Sequence, residues 1–571
     1  MRGVLVNDLP KYLVLTIWLG LNGFMFAYYY QMYDTGINFY YTRVLLGPGL
    51  AVARGSAACL NFNCMLILLP VCRNMLSLIR GWCVCCPRRM RRVLDKNITF
   101  HRLCAYMIVI MTMVHYYSHS FNVQFYSTAY NVQLGSKPNS ALIVKLATLG
   151  DGTNETYLDP IRKPTYPIGS VFLLTGGWTG VIITTALFFM VASSTEFIRR
   201  SYFEVFWFTH HLFIIFFGFL VVHGIGRQVR GQTNVNEHDP VYCSGIDIDD
   251  WPSDTKCSTT PQFAGNPPGT WKWVIGPMAL YAFERVLRFA RFLQMVEVLK
   301  VVKHPSRVIE LQMRKKNFKA EVGQYVFIQC PQLSFLEWHP FTLTSAPEEK
   351  YFSVHIRIAG DWTADLSKAV GADVNDQEVQ PAWKMPRIAV DGPFGTASED
   401  VFEYDIALCV GAGIGVTPFA SMLKSVFYKN LDNSDSLRLK KVYFFWICPD
   451  THAFEWFGDM LKHLENQLLE SGKQDLIDYN IYLTRGWTVG QGKEIFIHDE
   501  DQHDVITGLR QKTQFGRPNW DEIFTKIANT HSGSEVGVFF CGAPALSTIL
   551  HKKCNTHSSA KVTFHYNKEN F

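Results

Sequence analysis

Four histidines constrain this chain more than any other feature. They fall in two pairs, His101 with His115 and His210 with His223, at or within long stretches that contain no Asp, Glu, Lys or Arg: residues 103–136 and 205–226. An ionisable side chain inside so apolar a segment is costly to bury and marks a functional candidate. A single histidine in an apolar helix is ordinarily a satisfied core residue; two matched pairs argue against that reading.

Two such helices side by side offer imidazole pairs at two depths, the way a bundle grips a haem iron from both faces. His101 and His115 are fourteen residues apart, which on an ideal helix keeps them on nearly one face and separates them by roughly 21 Å. His210 and His223 are thirteen apart and drift onto different faces, and His211 does no better. A tightened, 3₁₀-like turn between them, near Gly218, would realign them.

Six stretches are long and apolar enough to cross a bilayer: residues 12–33, 45–72, 103–124, 168–194, 205–226 and 271–292. Glu284, Arg285, Arg288 and Arg291 crowd the end of the last. The first is too long for a cleaved signal and lacks a small-residue cleavage site. Basic residues cluster in residues 73–102, at Arg199 and Arg200, and after the sixth stretch, so these segments and both termini are expected in the cytosol. The net charge of +5 then reflects topology and contact with anionic lipid, not nucleic-acid binding. The basic run Arg88–Arg92 is expected to meet lipid and a partner. Cys83, Cys85 and Cys86 have poor metal-site spacing and read as packing or acylation sites.

In the outer loops Asn154 heads a glycosylation sequon, whereas the Asn97 sequon falls on the wrong side. Cys243 and Cys257 share the loop before the sixth stretch and are expected to pair in an oxidising compartment. The two histidine-bearing helices run the same way, so His101 should pair with His210 near the cytosol and His115 with His223 near the outer face. Arg54 lies towards the outer end of the second stretch, and His119 one turn beyond His115. Two readings stay open: Arg54 pairs with a haem propionate or snorkels to the interface, or Arg54 and His119 bind a polar acceptor.

Beyond residue 292 the pattern becomes that of a soluble protein. Residues 325–330 and 351–358 read as strands, the second with Ser353, His355 and Arg357 on one face and Val354, Ile356 and Ile358 on the other. Between them lies His339-Pro340-Phe341-Thr342-Leu343-Thr344-Ser345, where Phe341 can lie on a ring and the hydroxyls can reach flavin polar atoms. Thr363 can open a helix whose free N–H groups suit a pyrophosphate, assisted by Arg357. Together these describe a small antiparallel flavin barrel. Strands and helices then alternate. A strand at 406–410 leads into Gly411-Ala412-Gly413-Ile414-Gly415-Val416-Thr417-Pro418 and an amphipathic helix, a turn that lets backbone approach a phosphate, although Val416 stands where a strict dinucleotide fingerprint has its third Gly. Residues 442–448, 479–484 and 536–541 read as later strands, the last ending at Cys541-Gly542 on the edge where open α/β sheets bind ligands.

On these motifs the chain resembles the superoxide-generating NADPH oxidases, most closely their phagocyte-type branch, along essentially its whole length. The most specific stretches are residues 60–73, 199–213, 338–347, 391–400, 411–421 and 516–520. The resemblance implies a six-helix transmembrane haem-binding bundle (residues 1–292), a ferredoxin-reductase-like antiparallel FAD barrel (293–397) and an α/β NAD(P)H-binding domain (398–571). It implies that His101, His115, His210 and His223 ligate two b-type haems, which selects His210 over His211. It assigns Trp338, His339–Ser345, His355, Ile356, Arg357, Thr363 and the terminal Phe571 to FAD. Gly411–Pro418, Trp446, Cys448, Arg517, Cys541 and Gly542 are assigned to NADPH, and Arg54 and His119 to the oxygen site. The implied partners are a small membrane subunit and cytosolic organisers with a small GTPase, at a plasma or phagosomal membrane. The chain departs from the family at Pro449, where an Arg suited to a 2′-phosphate is usual, and at Pro544, one place later than usual; Arg517 is the candidate to cover the first. Arg485 is also unusual and reads as a surface residue.

The expected activity is electron transfer from cytosolic NADPH through FAD and two haems to oxygen at the outer face, yielding superoxide. A transmembrane reductase of ferric or cupric chelates would use the same cofactors and remains an alternative. A proton-conducting or regulatory protein with vestigial cofactor domains is the other, and haem binding separates it from both.

Overall fold

The computed structural model describes residues 2–82, 88–130, 140–149, 155–161, 169, 171–172, 174–304, 307–372, 384–395, 397–432, 437–449, 455–484, 503–504 and 506–569. Asn154, Phe571, Arg485 and the cysteines 83, 85 and 86 lie outside the described residues. The chain forms two compact units, one of Val14–Cys72 and Asn97–Phe283, the other of Met1–Leu13, Arg73–Lys96 and Glu284–Phe571.

The helices of the chain's first half are α1 (Leu9–Thr35), α2 (Gly49–Ile67), α3 (Asn97–Tyr130), α4 (Thr175–Ser193), α5 (Phe203–His210), α6 (Phe213–His223) and α7 (Thr270–Phe292), and the first unit holds all of them but Leu9–Leu13 and Glu284–Phe292. Among the described residues five helical spans, not six, are long and apolar enough to cross a membrane, with α5 and α6 counting as one. The sixth expected stretch is a helix, but its charged residues have other work. Glu284 accepts from the backbone N–H of Asn74 (3.1 Å) and Met75 (2.9 Å), while Arg288 and Arg291 pair with buried Asp391. The second stretch starts later than expected, at Gly49, because Gly47 and Pro48 break the helix that ends at Leu46.

Polar side chains inside the bundle bond to one another between α1 and α2. Trp18 Nε1 donates to Asn63 Oδ1 (3.0 Å), Asn63 Nδ2 donates to Asn22 Oδ1 (2.6 Å), and Asn22 Nδ2 donates to the Trp18 carbonyl (2.9 Å), a closed clasp between α1 and α2. Beyond the helices, a disulfide joins Cys243 to Cys257. Buried His238 lies beside it, bonded to the Tyr41 hydroxyl (2.7 Å) and the Thr259 carbonyl (2.8 Å).

In the second unit β1 (Val296–His304), β2 (Val308–Lys315) and β5 (Phe352–Arg357) form one three-stranded antiparallel sheet, in the order β1-β2-β5. A second sheet joins β4 (His339–Thr342), β3 (Tyr325–Gln329) and β6 (Ala389–Phe394), in the order β4-β3-β6. The expected barrel is two antiparallel sheets around one core of Ile309, Leu311, Val326, Ile328, Val354 and Ile356, joined at a Leu343–Val354 bridge. The helix α8 (Asp361–Ala369) follows β5.

The remaining sheet is parallel and six-stranded: β7 (Ile406–Ala412), β8 (Lys441–Cys448), β9 (Ile477–Leu483), β10 (Gln514–Phe515), β11 (Glu535–Cys541) and β12 (Thr563–Lys568), in the order β10-β9-β8-β7-β11-β12. Its strands are near-continuous apolar runs because helices cover both faces. The chain steps outward from β7 and then returns to β7's other side as β11, so the switch point lies between these two strands.

Two early segments complete this unit. Asn7 donates to Asn555 Oδ1 and the Phe564 carbonyl (both 3.0 Å) and accepts from the Tyr566 N–H (2.9 Å). Buried Arg80 binds Asp95, Glu399 (3.0 Å) and Asp400 (3.2 Å), and Arg91 adds a second contact to Asp400 (3.1 Å). Arg92 is buried against Asn7 and the Val6 carbonyl. Arg91 and Arg92 thus help hold the fold together, while the side chains of Arg88 and Arg89 lie outside the described residues.

Candidate electron-transfer site

The helices bring the four histidines together in two pairs. The His101 and His210 ring centres are 6.3 Å apart, and those of His115 and His223 are 6.4 Å apart, with nearly equal tilts of 57° and 58°. The realigning distortion sits at His211 and Leu212, not at Gly218. There His211 N–H bonds to Phe208 O (3.2 Å) and Leu212 N–H to Thr209 O (3.1 Å), three-residue steps that separate α5 from α6. His211 packs edge-on against Trp207 and bonds to its carbonyl.

Each of the four rings is oriented through Nδ1. His101 Nδ1 donates to Ile67 O (2.8 Å) and His115 Nδ1 to Ala53 O (3.0 Å). Thr179 commits its own proton to Thr175 O and accepts from His223 Nδ1 (2.8 Å). Ser194 likewise donates to Met190 O (2.6 Å) and accepts from His210 Nδ1 (3.4 Å). With Nδ1 protonated in all four, each Nε2 is a lone pair free for a metal. Thr179 and Ser194 were missed in the sequence. Their signal is a separation of fifteen residues on a neighbouring helix, close to the thirteen between their partners.

Two imidazoles that share one metal at about 2 Å per bond hold their ring centres about 6 Å apart, and both pairs match that spacing. The donor set and its geometry therefore fit a haem iron gripped from both sides. His119 packs edge-on against His115, with ring centres 4.5 Å apart. Arg54 follows Ala53 on α2, its guanidinium 4.9 Å from the Tyr33 ring centre and its Nε buried with no hydrogen-bond partner among the described residues.

In the flavin-type sheets His339 stacks on Trp362 at 3.9 Å, and Phe341 lies parallel to the same indole at 6.1 Å. Trp362 Nε1 is buried without a hydrogen-bond partner among the described residues. This aromatic wall with an unused donor suits a flavin, and Trp362 was not foreseen. Other expected contacts are engaged internally. Thr344 Oγ1 bonds to Ser353 Oγ (2.9 Å) and His355 Nδ1 (2.8 Å), and Ser345 Oγ accepts from the Ser353 N–H (3.0 Å). Leu343 and Ile356 are core residues. His355 is stacked on Trp456 (4.1 Å) and His304 (5.2 Å), and burial drives its pKa down to about 3 against the pull of Glu310. Arg357 is exposed. The expected helix opens at Asp361, not at Thr363, because the Thr363 hydroxyl turns back to accept from Ala359 N–H and Gly360 N–H (both 3.0 Å). Trp338 lies edge-on to Phe292 and under Arg288, and Pro340 and Thr342 continue β4.

At the switch point of the parallel sheet Gly411 and Cys541 are register partners. A Cβ on Gly415 would lie 2.5 Å from Cys541 O, and one on Gly542 would lie 2.6 Å from Ala412 Cβ, so the glycines allow the two turns to meet. Gly413 takes φ +58°. Val416 is buried, and Thr417 and Pro418 open α9 (Thr417–Asp432). Trp446, a neighbour of Gly411 on β8, donates from Nε1 to Gly413 O (3.3 Å). Cys448 ends β8, burial pushes the Cys541 thiol pKa up, and Arg517 is exposed just after β10. The backbone cradle suits a dinucleotide phosphate.

A helical bundle with two facing imidazole pairs, joined in one chain to flavin-type sheets and a nucleotide-binding sheet, defines a membrane-spanning electron carrier. Models of three families match it: Ferric reductase like transmembrane component over residues 54–221, FAD-binding domain over 293–398, and Ferric reductase NAD binding domain over 404–555. The chain is 50% identical to NADPH oxidase 3 of Homo sapiens, covering 100% of this chain and 99% of that one, and 50% identical to NADPH oxidase 1 of Mus musculus, covering 99% and 95%. The chain belongs to the NADPH oxidase family. A ferredoxin-NADP+ reductase from Plasmodium falciparum aligns with 48% of this chain and 95% of its own at 12% identity and a TM-score of 0.30, too slight a likeness to argue from.

Proposed function

We propose that His101 and His210 hold one haem iron and His115 and His223 a second, and that the three parts of the chain (residues 1–292, 293–397 and 398–571) divide the work of moving electrons across a membrane. The observation that carries the assignment is the pair of ring separations, 6.3 and 6.4 Å, with all four Nδ1 atoms tied.

The protein is an NADPH oxidase: it transfers electrons from NADPH by way of FAD to molecular oxygen and produces superoxide. When bound, nicotinamide, flavin and haem supply the hydride and one-electron chemistry. The protein's share is placement. Gly411, Gly413, Gly415 and Gly542 let backbone close on the NADPH phosphates, with the Ile414 backbone in the same turn and Ala412, Val416, Thr417, Pro418, Trp446, Cys448 and Cys541 forming the surrounding wall. Arg517 covers the 2′-phosphate in place of the Arg absent at Pro449. The FAD contacts run through Trp338, His339, Pro340, Phe341, Thr342 and Arg357, with Trp362 added. Leu343, Thr344, Ser345, His355, Ile356 and Thr363 support them from behind, and Phe571 covers the ring. Arg54 and His119 attract oxygen's developing negative charge beside the His115–His223 pair. The full-length relatives do not favour a metal-chelate reductase.

Basic residues flanking the spans support a cytosolic position for the flavin and nucleotide parts at the plasma or phagosomal membrane. A small membrane subunit and cytosolic activators with a small GTPase are the proposed partners, and Asn154 is the proposed glycan site.

The test is made on purified, FAD-loaded protein in lipid. NADPH is expected to give a reduced-minus-oxidised haem spectrum and, under oxygen, product sensitive to superoxide dismutase. His210→Ala removes one haem signal and His211→Ala keeps both. Absence of any haem signal in the wild type overturns the four-histidine assignment.

A further inference from the structure

Away from the electron path, three side chains converge on the outward face of the β1-β2-β5 sheet. His304 ends β1 opposite Val308, and Glu310, two residues further along β2, faces His355 on β5. Residues two apart on a strand share a face, so all three stand on the side away from the core residues Ile309, Leu311 and Ile356. One ligand atom from each lies within 4.8 Å of the others.

Their spacing is wider than a hydrogen bond. Glu310 Oε2 is 3.7 Å from His304 Nε2 and 4.0 Å from His355 Nε2, whereas a charged imidazole–carboxylate bond closes to about 2.7–2.9 Å. His304 Nε2 is buried with no hydrogen-bond partner among the described residues. Two of the three groups are held from behind. Gln312 Nε2 donates to Glu310 Oε1 (3.1 Å), which leaves Oε2 to the histidines. Thr344 Oγ1 bonds to His355 Nδ1 (2.8 Å), so the hydroxyl can accept the Nδ1 proton and leave Nε2 a lone pair. The two imidazoles stack 5.2 Å apart, and Trp456, at the start of α10 (Glu455–Glu470), stacks on His355 at 4.1 Å.

Two imidazoles and a carboxylate, each steadied through its second polar atom, form a ligand set for a divalent transition-metal ion. Ligands about 2.0–2.1 Å from a tetrahedral zinc stand about 3.4 Å from one another, so the three atoms need to close by only about half an ångström. Calcium and magnesium take oxygen ligands and do not suit two imidazoles. The side chains of His304, Glu310 and His355 are 18%, 12% and 9% exposed, which leaves an entry for the ion and for water as a fourth ligand.

We propose that His304, Glu310 and His355 form a binding site for a divalent cation of the zinc class, which ties β1, β2 and β5 together beside Trp456. The site draws on neither the haem pairs nor the oxygen site. The ion does no redox work there. It cross-links three strands and stabilises the folded chain according to its occupancy.

The test uses full-length, haem- and FAD-loaded protein in lipid nanodiscs, free of histidine tags, as wild type, Glu310→Gln and His304→Gln. Zinc chloride is the probe. Zinc retained after dialysis against a weak chelator is counted by mass spectrometry, and zinc K-edge X-ray absorption reports its ligands. Thermal unfolding is recorded with zinc, with calcium and with neither. Wild type is expected to keep about one zinc more per chain than either variant, to show imidazole scattering at the zinc edge, and to unfold at a higher temperature with zinc but not with calcium. Each substitution removes a ligand and is expected to weaken zinc binding by at least about 100-fold. A zinc count and an unfolding shift that are the same in both variants as in wild type overturn the proposal and leave an adventitious ion only. An edge spectrum without imidazole ligands overturns it too, and that measurement needs wild type alone should both variants fail to fold. Equal stabilisation by calcium overturns the two-histidine site.

Discussion

Gly415 packs so closely against Cys541 that a Cβ on it would lie 2.5 Å from the Cys541 carbonyl oxygen. The contact is backbone against backbone, so no rotamer relieves it. Gly415→Ala is expected to push the two turns apart and weaken NADPH binding by at least about tenfold, with flavin and haem retained. Equilibrium titration of NADPH against the flavin-loaded protein checks this, and an unchanged Kd would remove the cradle from the site.

The Thr179 hydroxyl is fully buried and accepts from His223 Nδ1. Thr179→Val keeps the volume and removes the acceptor. Haem affinity at that pair is expected to fall about 10–100-fold, as when other partners of metal-binding histidines are lost, while Thr179→Ser retains it. Haem retention on dilution, followed by optical spectroscopy, gives the readout.

Arg80 holds three carboxylates, Asp95, Glu399 and Asp400. Burial already lifts Asp95 to about 6. Arg80→Met leaves Asp95 and Glu399 buried without this cation and Asp400 with Arg91 alone, and a loss of about 3–5 kcal/mol is expected. Chemical denaturation measures it, and a loss below about 1 kcal/mol would mean that the carboxylates simply take up protons.

Glu569 is buried, and its Oε1 accepts from Ser398 N–H (2.7 Å) and Ser398 Oγ (2.5 Å). Burial outweighs these bonds and raises its pKa to about 7. Between the unfolded value near 4.5 and 7 the folded protein therefore holds the extra proton, so stability falls as pH rises through that window and levels off above it. Glu569→Gln is expected to flatten this slope and to gain up to about 3 kcal/mol at pH 8. Thermal unfolding at pH 5, 6, 7 and 8 tests the sign.

The histidine pairs were legible because a charge-free stretch tolerates few ionisable residues and helical spacing fixes depth. The kink was legible as a need, since thirteen residues do not close on whole turns, but its place at His211 and Leu212 was not. The strands expected at 406–410 and 536–541 were readable from continuous apolar runs, and the observed ones run Ile406–Ala412 and Glu535–Cys541. Trp362, Thr179 and Ser194 were not readable, because each matters only for the ring it meets across the fold. The partners of Arg91 and Arg92 were not readable for the same reason: charge alone gives no hint of Asp400 or Asn7.

The sequence by itself determined which segments avoid water, which turn is glycine-rich and which four histidines stand out as pairs, because these depend on local period and on the cost of burying charge. Only the tertiary structure decided which nitrogen each imidazole turns towards the helix backbone or a hydroxyl, where the helix breaks, and that the His339 ring meets Trp362. Those outcomes depend on atoms brought together from distant parts of the chain, and no local pattern encodes them.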